Sequence, residues 1–393
     1  MVSRWQRLEL DPTAKQKVLL RQAEGLSRYA WNWLMNIVLT RKPGDPKLDF
    51  KLLTRKGFHE HLKQEATWAF ELPLRPAWEA LTNCKMAWIR HWKSPQKQGR
   101  PRFKRRQLNG SCYLGTIPRL KMAHVAISTS ILEPIKLKHT EWVPPANAQL
   151  QLAVLKLCAG RYFISILYRV PEIVKPSAPS ISCGIDLGIN EAVVVDDNGL
   201  VERRKMPRPL KRKQRRLRIL QRRLARKKCG SRRRFKICQK INVLHWRISN
   251  VRRHFNHTLS LDLSRRYQTI VIEDLVVSAL LPDNENAGGI SDAGWSSFRR
   301  MLEYKVKERS GNLVVANRYF PSSQLCTVCG IRSGSLPLHI RNPVCGGCGH
   351  VEDRDTRAAT NLLTLAGQAP VSRAWSETAR YEAPTLEAAA RLN

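Results

Sequence analysis

Polar and apolar residues alternate in the opening segment SRWQRLEL, which predicts a strand with one buried face, and Asp11 and Pro12 then signal a helix start. Leu19, Ala23, Leu26, Ala30, Leu34 and Ile37 recur at helical spacing. A second helical stretch carries Trp78, Leu81, Lys85, Trp88 and Trp92 and ends before the loop SPQKQGRPRFKRR. Pro-, Gly- and charge-rich joints near 42–47 separate the two. From about Cys112 to Val170 the pattern shifts to short β-like runs, LQLAVLKL and YFISILYRV among them, with Ala159 and Gly160 as the turn between those two. This region predicts a small barrel or sheet.

After the linker PEIVKPSAPS, a new domain opens with ISCGIDLGINEAVVVDDNG. It reads as an apolar strand, a Gly-containing bend and a second strand that stops at the turn signal Asp197, Asn198, Gly199. Between 203 and 240 there are twenty Lys or Arg and no acid, with Leu210, Leu217, Leu220 and Leu224 along one stripe, which predicts a basic amphipathic helix. A second helical stretch runs through Ile241, Leu244, Ile248, Val251, Phe255 and Leu259 into the strand TIVIEDL. Beyond a polar loop at 281–292, WSSFRRMLEYKVKERSG predicts a helix and NLVVANRYF a strand. The last helix, 356–365, packs through Ala358, Ala359, Leu362 and Leu363. The tail, 367–393, carries three Arg and three Glu with little apolar period and is expected to be disordered.

The 393 residues suffice for two or three cores, and a formal charge of +38 points to a polyanionic partner. Apolar runs fall short of the roughly 20 residues a spanning helix needs, and the first ten residues lack a signal-peptide core. The chain is therefore expected in the cytoplasm, with no membrane partner. In that reducing setting the ten cysteines divide into ligands and buried thiols. Cys84, Cys112, Cys158, Cys183, Cys229 and Cys238 stand singly and are expected as small core residues.

Chemistry concentrates in two sets of residues. Cys326 and Cys329, then Cys345 and Cys348 after fifteen intervening residues, have the spacing of a closed tetrahedral zinc site. His339 and His350 lie close by and are expected as bystanders. Asp186 ends one apolar strand, Glu273 ends another, and Asp355 begins the last helix. Three carboxylates from separate elements suit divalent cations held against a phosphodiester, as hydrolysis of such a bond requires. Asp196 and Asp197 sit at a turn and Asp274 should point away from Glu273, whereas Asp353 remains a competitor.

In order and spacing, GIDLGIN, VIEDL, RYFPSSQLC, the paired CxxC knuckles and DRDTRAATNLL resemble the TnpB family of transposon-encoded RNA-guided nucleases, relatives of the type V CRISPR effectors. GRPRFKRR also matches a family signature. The resemblance covers most of the chain. It implies an α/β multidomain protein with a RuvC-type, RNase H-like nuclease core at 176–322 and 350–366, interrupted by a four-cysteine zinc ribbon at 323–349. A helical recognition lobe at 11–95 and a small β-barrel wedge domain at 1–10 and 96–175 complete the implied layout.

By the same resemblance, Asp186, Glu273 and Asp355 bind magnesium or a similar ion, two ions in all, and one structural zinc sits on the cysteines. The implied partners are a guide RNA and double-stranded target DNA, with a short motif beside the target; a monomer is the simplest oligomeric state. Base pairing then carries most of the specificity while the protein supplies charge and cutting. Arg100, Arg102, Lys104, Arg105 and Arg106, with Lys211, Arg212, Arg215, Arg216, Arg222 and Arg223, are expected on phosphate, giving binding that weakens steeply with salt. One residue departs from the family: Arg357 stands where Asn is usual, two positions after the third carboxylate. That departure bears on the geometry or rate of the site. The expected activity is RNA-guided DNA cleavage. The alternatives are a nuclease-inactive RNA-guided DNA-binding regulator and a compact type V CRISPR effector.

Overall fold

The computed structural model describes residues 2–40, 55–96, 98–105, 110–113, 119–121, 124–126, 133–138, 142–171, 176–188, 191–205, 209–275, 294–334 and 340–367. The polar loop at 281–292, the charged joint at 42–47, Arg106, His339 and the tail beyond 367 lie outside them. Two compact units divide the chain, one of 1–172 and 213–248, the other of 173–212 and 249–393.

In the first unit, strand β1 (Val2–Asp11) leads to helix α1 (Ala14–Leu39). The helix starts at Thr13 rather than at Asp11: Gln16 N–H donates to Thr13 Oγ1 (3.3 Å) and Thr13 N–H to Gln16 Oε1 (3.0 Å), a reciprocal capping box. Its buried face carries Leu20, Ala23, Leu26, Ala30, Leu34 and Met35, so Leu19 and Ile37 sit at the margins of the stripe. Helices α2 (Arg55–Glu65) and α3 (Arg75–Lys93) close a core around Phe58, Leu62, Ala77, Leu81, Cys84 and Trp88. Trp92 lies outside that core and is exposed.

Strands β2 (Gly110–Tyr113), β3 (Arg119–Lys121), β4 (His124–Ala126), β5 (Ile135–Leu137), β6 (Gln149–Cys158) and β7 (Arg161–Val170) join β1 in one antiparallel sheet, ordered β2-β6-β7-β1-β5-β4-β3. Ala159 (φ 54°) and Gly160 (φ 77°) are both left-handed, the turn geometry whose twist matches that of paired strands. Among the described residues β2 and β3 remain the two ends of this sheet. Where a small barrel or sheet was expected, the described residues form a seven-stranded sheet with no pairing between β2 and β3.

The 203–240 basic stretch is not one helix. Arg203, Arg204 and Lys205 belong to strand β10 (Val201–Lys205), followed by helices α4 (Pro209–Ala225) and α5 (Arg232–Arg266). Helix α4 stops at Ala225; Gly230, at φ 76°, lies in the connection that follows, and Ser231 Oγ accepts from Arg234 N–H (3.1 Å) to start α5. Cys229 stands exposed at this break, while Cys84, Cys112 and Cys183 are buried as expected of core thiols.

The second unit is built on strands β8 (Ser182–Leu187), β9 (Glu191–Asp196), β10, β11 (Thr269–Ile272) and β12 (Asn312–Val315), in the order β10-β9-β8-β11-β12. The first three form an antiparallel meander, and β11 runs parallel to both β8 and β12. Apolar residues cover both faces, which is why these strands read as continuous apolar runs. Ile185, Val194, Ile270 and Ile272 pack against Leu259 and Leu263 of α5 and against Phe298 and Leu302 of α6 (Trp295–Lys307). The other face, with Val193, Val195, Val271 and Val314, meets Ala359 and Leu362 of α7 (Arg354–Leu363). No helix among the described residues is long and apolar enough to cross a membrane.

Helix α7 approaches β8 so closely that a Cβ on Gly184 would overlap the carbonyl oxygen of Ala359 and crowd Leu363 N. Both obstacles are backbone, so they yield only if the helix moves. Gly184→Ala is expected to destabilise the protein by about 3 kcal/mol, the upper part of the usual overpacking range, read as a lowered melting temperature. An unchanged melting temperature would show that α7 can lift off without cost.

Candidate active site and metal centre

Residues two apart on a strand share a face, so Asp186 lies on the side of Gly184 and Glu273 on the side of Val271, both toward α7. The parallel register pairs Ile272 with Ile185, which sets the next residues, Glu273 and Asp186, level on adjacent strands. They stand at the carboxyl ends of the two central parallel strands, where open α/β sheets place their ligands. Asp355 completes the group from the first turn of α7.

Charge couples these acids electrostatically. Burial, then the negative charges of Glu273 and Asp355, push the Asp186 carboxyl up to about 8, against a smaller opposing pull from Arg354. Burial and like charge both disfavour the ionised carboxyl, a cost that a nearby cation would relieve. Carboxylate oxygens are the ligands that hard divalent ions take, although among the described residues only the four cysteines gather tightly enough to enclose an ion. Arg341 Nη1 stands 3.4 Å from each oxygen of Asp355 and supplies positive charge at its rim.

The competing acids have other work. Asp353 caps α7, accepting from Asp355 N–H (3.1 Å) and Thr356 N–H (3.0 Å), and its Oδ1 also meets Arg203 Nη2 at 2.6 Å. Burial raises its pKa, but the Thr356 amide and Arg203 outweigh that and hold it below the usual carboxylate range. Asp196 closes its turn by accepting from Asn198 N–H and Leu200 N–H, each at 3.0 Å. Asp274 pairs with Arg299 of α6 at 2.7 Å, on the face away from α7. Neither Arg203 nor Arg341 stood out in a chain so rich in arginine, because only their partners distinguish them.

The four cysteines converge. Their sulfurs all lie within 4.8 Å of one another, with Cys326–Cys348 at 3.7 Å and Cys329–Cys345 at 3.5 Å. Zn–S bonds of about 2.3 Å give a tetrahedron with edges of about 3.8 Å, so the cluster fits a structural zinc with every position filled by protein. The two knuckles repeat one design: Gly330 N–H returns to Cys326 O (3.0 Å) and Gly349 N–H to Cys345 O (2.9 Å), with those glycines at φ 71° and 73°. Amide hydrogens of Cys348 and Gly347 aimed at its sulfur pull Cys345 down to about 6, which favours the thiolate a metal needs. His350 is not part of the cluster.

Arg357 does not enter the carboxylate group. Its side chain is fully buried and donates from Nη2 to Pro343 O (3.1 Å) in the ribbon, with Nε 3.9 Å from Glu352. Glu352 in turn accepts from Thr327 Oγ1 at 2.6 Å. The residue that departs from the family pattern thus ties the ribbon to α7.

Of the residues expected on phosphate, Arg100, Arg102, Lys104 and Arg105 belong to the first unit, where the 100–105 strip is bolted to α1. Trp31 Nε1–H donates to Arg102 O (3.0 Å), and Asn32 exchanges two bonds with the Lys104 backbone (2.9 and 2.8 Å). Lys104 Nζ lies 4.0 Å from the Trp31 ring centre and Arg100 5.7 Å from that of Trp88, while Arg102 and Arg105 face solvent. On α4, Arg212, Arg215, Arg216, Arg222 and Arg223 are exposed. The side chain of Lys211 lies outside the described residues.

Three family profiles match the chain: one described as "Probable transposase" over 165–282, a Cas12f1-like TNB domain over 295–362, and a helix-turn-helix domain over 1–39. In this chain that last region is one strand and one helix. A Streptomyces pristinaespiralis protein provisionally named an RNA-guided DNA endonuclease is 31% identical over 353 residues, covering 90% of this chain and 86% of that protein. Escherichia coli InsQ, provisionally named in the same way, is 26% identical over 382 residues, 92% of each chain. Among solved structures, a CRISPR Cas12f protein in a ternary complex aligns over 88% of this chain and 80% of its own, at 17% identity and a TM-score of 0.39. With motif order, profile matches and near-full-length identity in agreement, the chain belongs to the TnpB family of transposon-encoded RNA-guided DNA endonucleases.

Proposed function

We propose that this chain cuts DNA chosen by pairing with a guide RNA and marked by a short adjacent motif, using divalent cations held by Asp186, Glu273 and Asp355. The observation that carries the reading is that Asp186 and Glu273 share the α7 face with Asp355 in that helix's first turn, and that burial and the charges of those two acids raise Asp186 to about 8. An antiparallel meander followed by two parallel strands, with acids at its centre, supports a RuvC-type, RNase H-like core at 176–322 and 350–366. The exposed arginines of the 100–105 strip and of α4 support a wedge at 1–10 and 96–175, with a recognition lobe at 11–95, that bear on guide and target phosphates.

Bound divalent ions would supply charge neutralisation at the scissile phosphate and a more acidic attacking water. The protein's own part is to hold the acids together, to surrender the Asp186 proton, and to keep Arg341 beside Asp355 where phosphate negative charge would arrive. The family departure at Arg357 gives the inactive-regulator alternative no geometric support, because that guanidinium contacts the ribbon and not the acids.

The test is to sequence RNA that copurifies with the protein, then to offer matched duplex DNA with randomised flanks and magnesium. Cleavage confined to matched targets carrying one flanking motif is expected. Matched binding with no product across several divalent metals would favour a binding-only regulator instead.

A further inference from the structure

Glu273 has a neutral partner from the mouth of the ribbon. Ser322, 6% exposed, donates its hydroxyl to Glu273 Oε1 at 2.6 Å. It lies in the turn that follows β12 and precedes Cys326, a turn closed by Gln324 N–H (2.9 Å) and Leu325 N–H (3.2 Å) on Pro321 O. Asn361 of α7, equally buried, holds that turn from the other side. Its Nδ2 gives one hydrogen to Ser322 O (2.7 Å) and the other to Leu325 O (2.9 Å), so both of its donors are used on the same turn. The Ser322 hydroxyl is therefore fixed from its own backbone and from the helix that carries Asp355.

A short hydroxyl bond to one carboxylate oxygen stops rotation of the carboxyl group and leaves the second oxygen as the free donor. We infer that Ser322 is a positioning residue, which aims Glu273 Oε2 at the cation that Asp186 and Asp355 share; this rests on the carboxylate reading above. The ribbon then brackets the site with both stems. Its entering stem orients Glu273 through Ser322, and its leaving stem runs from Cys348 into the helix bearing Asp355. Nothing in the sequence separates Ser322 from Ser323; the direction of the side chain does. Partners of this kind, one bond removed from the ion, typically contribute 10–100-fold to metal affinity.

The experiment measures Mn2+ affinity of the RNA-free full-length chain, where phosphates do not compete for the ion, from loss of the free-ion electron paramagnetic resonance signal. Zinc content and melting temperature are read on the same samples. Ser322→Ala is expected to weaken Mn2+ binding about tenfold with zinc content and melting temperature unchanged, and Ser322→Thr, which keeps the hydroxyl, to restore it. Asp186→Ala serves as the reference for loss of a ligand. If Asp186→Ala loses Mn2+ while Ser322→Ala binds it as the unaltered chain does, the Ser322 assignment is overturned and the carboxylate site stands. If Asp186→Ala binds Mn2+ undiminished, both fall. If Ser322→Ala loses zinc together with Mn2+ and Thr restores neither, Ser322 serves the ribbon rather than Glu273, and the inference is again overturned.

Discussion

Guide-loaded protein carrying Asp186→Ala is expected to bind matched DNA like the unaltered chain and to cut it at least about a thousandfold more slowly, the loss of several kcal/mol of cation-supplied stabilisation. The side chain stands at the end of a central strand and makes no cap or ion pair comparable to those of Asp353 and Asp274, so its removal spares the fold. Its proton adds a second signature. The folded-state value of about 8 lies above the 3.8 of an ordinary aspartate, so folding favours the protonated carboxyl. Without divalent ions that contribution to stability is greatest below pH 3.8 and is lost as pH rises toward 8.

A cation must displace the same proton, so the rise in melting temperature on adding Mg2+ is expected to be larger at pH 8.5 than at pH 6.5. In Asp186→Asn both the alkaline loss of stability and the pH dependence of the Mg2+ increment should vanish. An increment independent of pH in the unaltered chain, or full-rate cutting by Asp186→Ala, would remove this residue from the site.

Loss of zinc is expected to abolish cutting as well as to destabilise the second unit. Structural zinc contributes on the order of 10 kcal/mol to the folding of small four-ligand modules, and here the module is stitched to the nuclease helix at several points. Arg354 N–H donates to Arg341 O (2.7 Å), Arg357 reaches Pro343 O, and Asn361 holds the turn before Cys326. If the ribbon opens, the buried Arg357 guanidinium loses its carbonyl partner, and an unpaired buried cation is costly. The measurement is zinc content, melting temperature and cleavage of Cys345→Ser with Mg2+ in excess. Full-rate cutting by zinc-free protein would make the ribbon an accessory.

Much of the local architecture was legible along the chain. The Ala159-Gly160 hairpin and the cysteine knuckles are short-range stereochemistry: positive φ at two adjacent turn residues, and ligand pairs three positions apart beside glycines. The strands of the second unit were legible as apolar runs because both faces of their sheet are covered. The break between α4 and α5 was also in the sequence, but twenty basic residues spread over 203–240 concealed the Cys-Gly-Ser connection before Arg232. In the first unit, alternation predicted strands without saying whether their sheet closes, since closure depends on which edges meet.

The sequence by itself determined most of the strands and helices, the paired cysteine spacing that suits one zinc ion, and which acids end apolar strands, because each of these depends on residues a few positions apart. Tertiary structure alone decided the rest. The parallel register of β8 and β11 sets Asp186 level with Glu273, packing turns Arg357 toward the ribbon, and the turn held by Asn361 delivers the Ser322 hydroxyl to Glu273. The physical reason is that a side chain's partner is chosen by how distant segments pack, and one residue of register or one rotation of a helix would give every one of these groups a different neighbour.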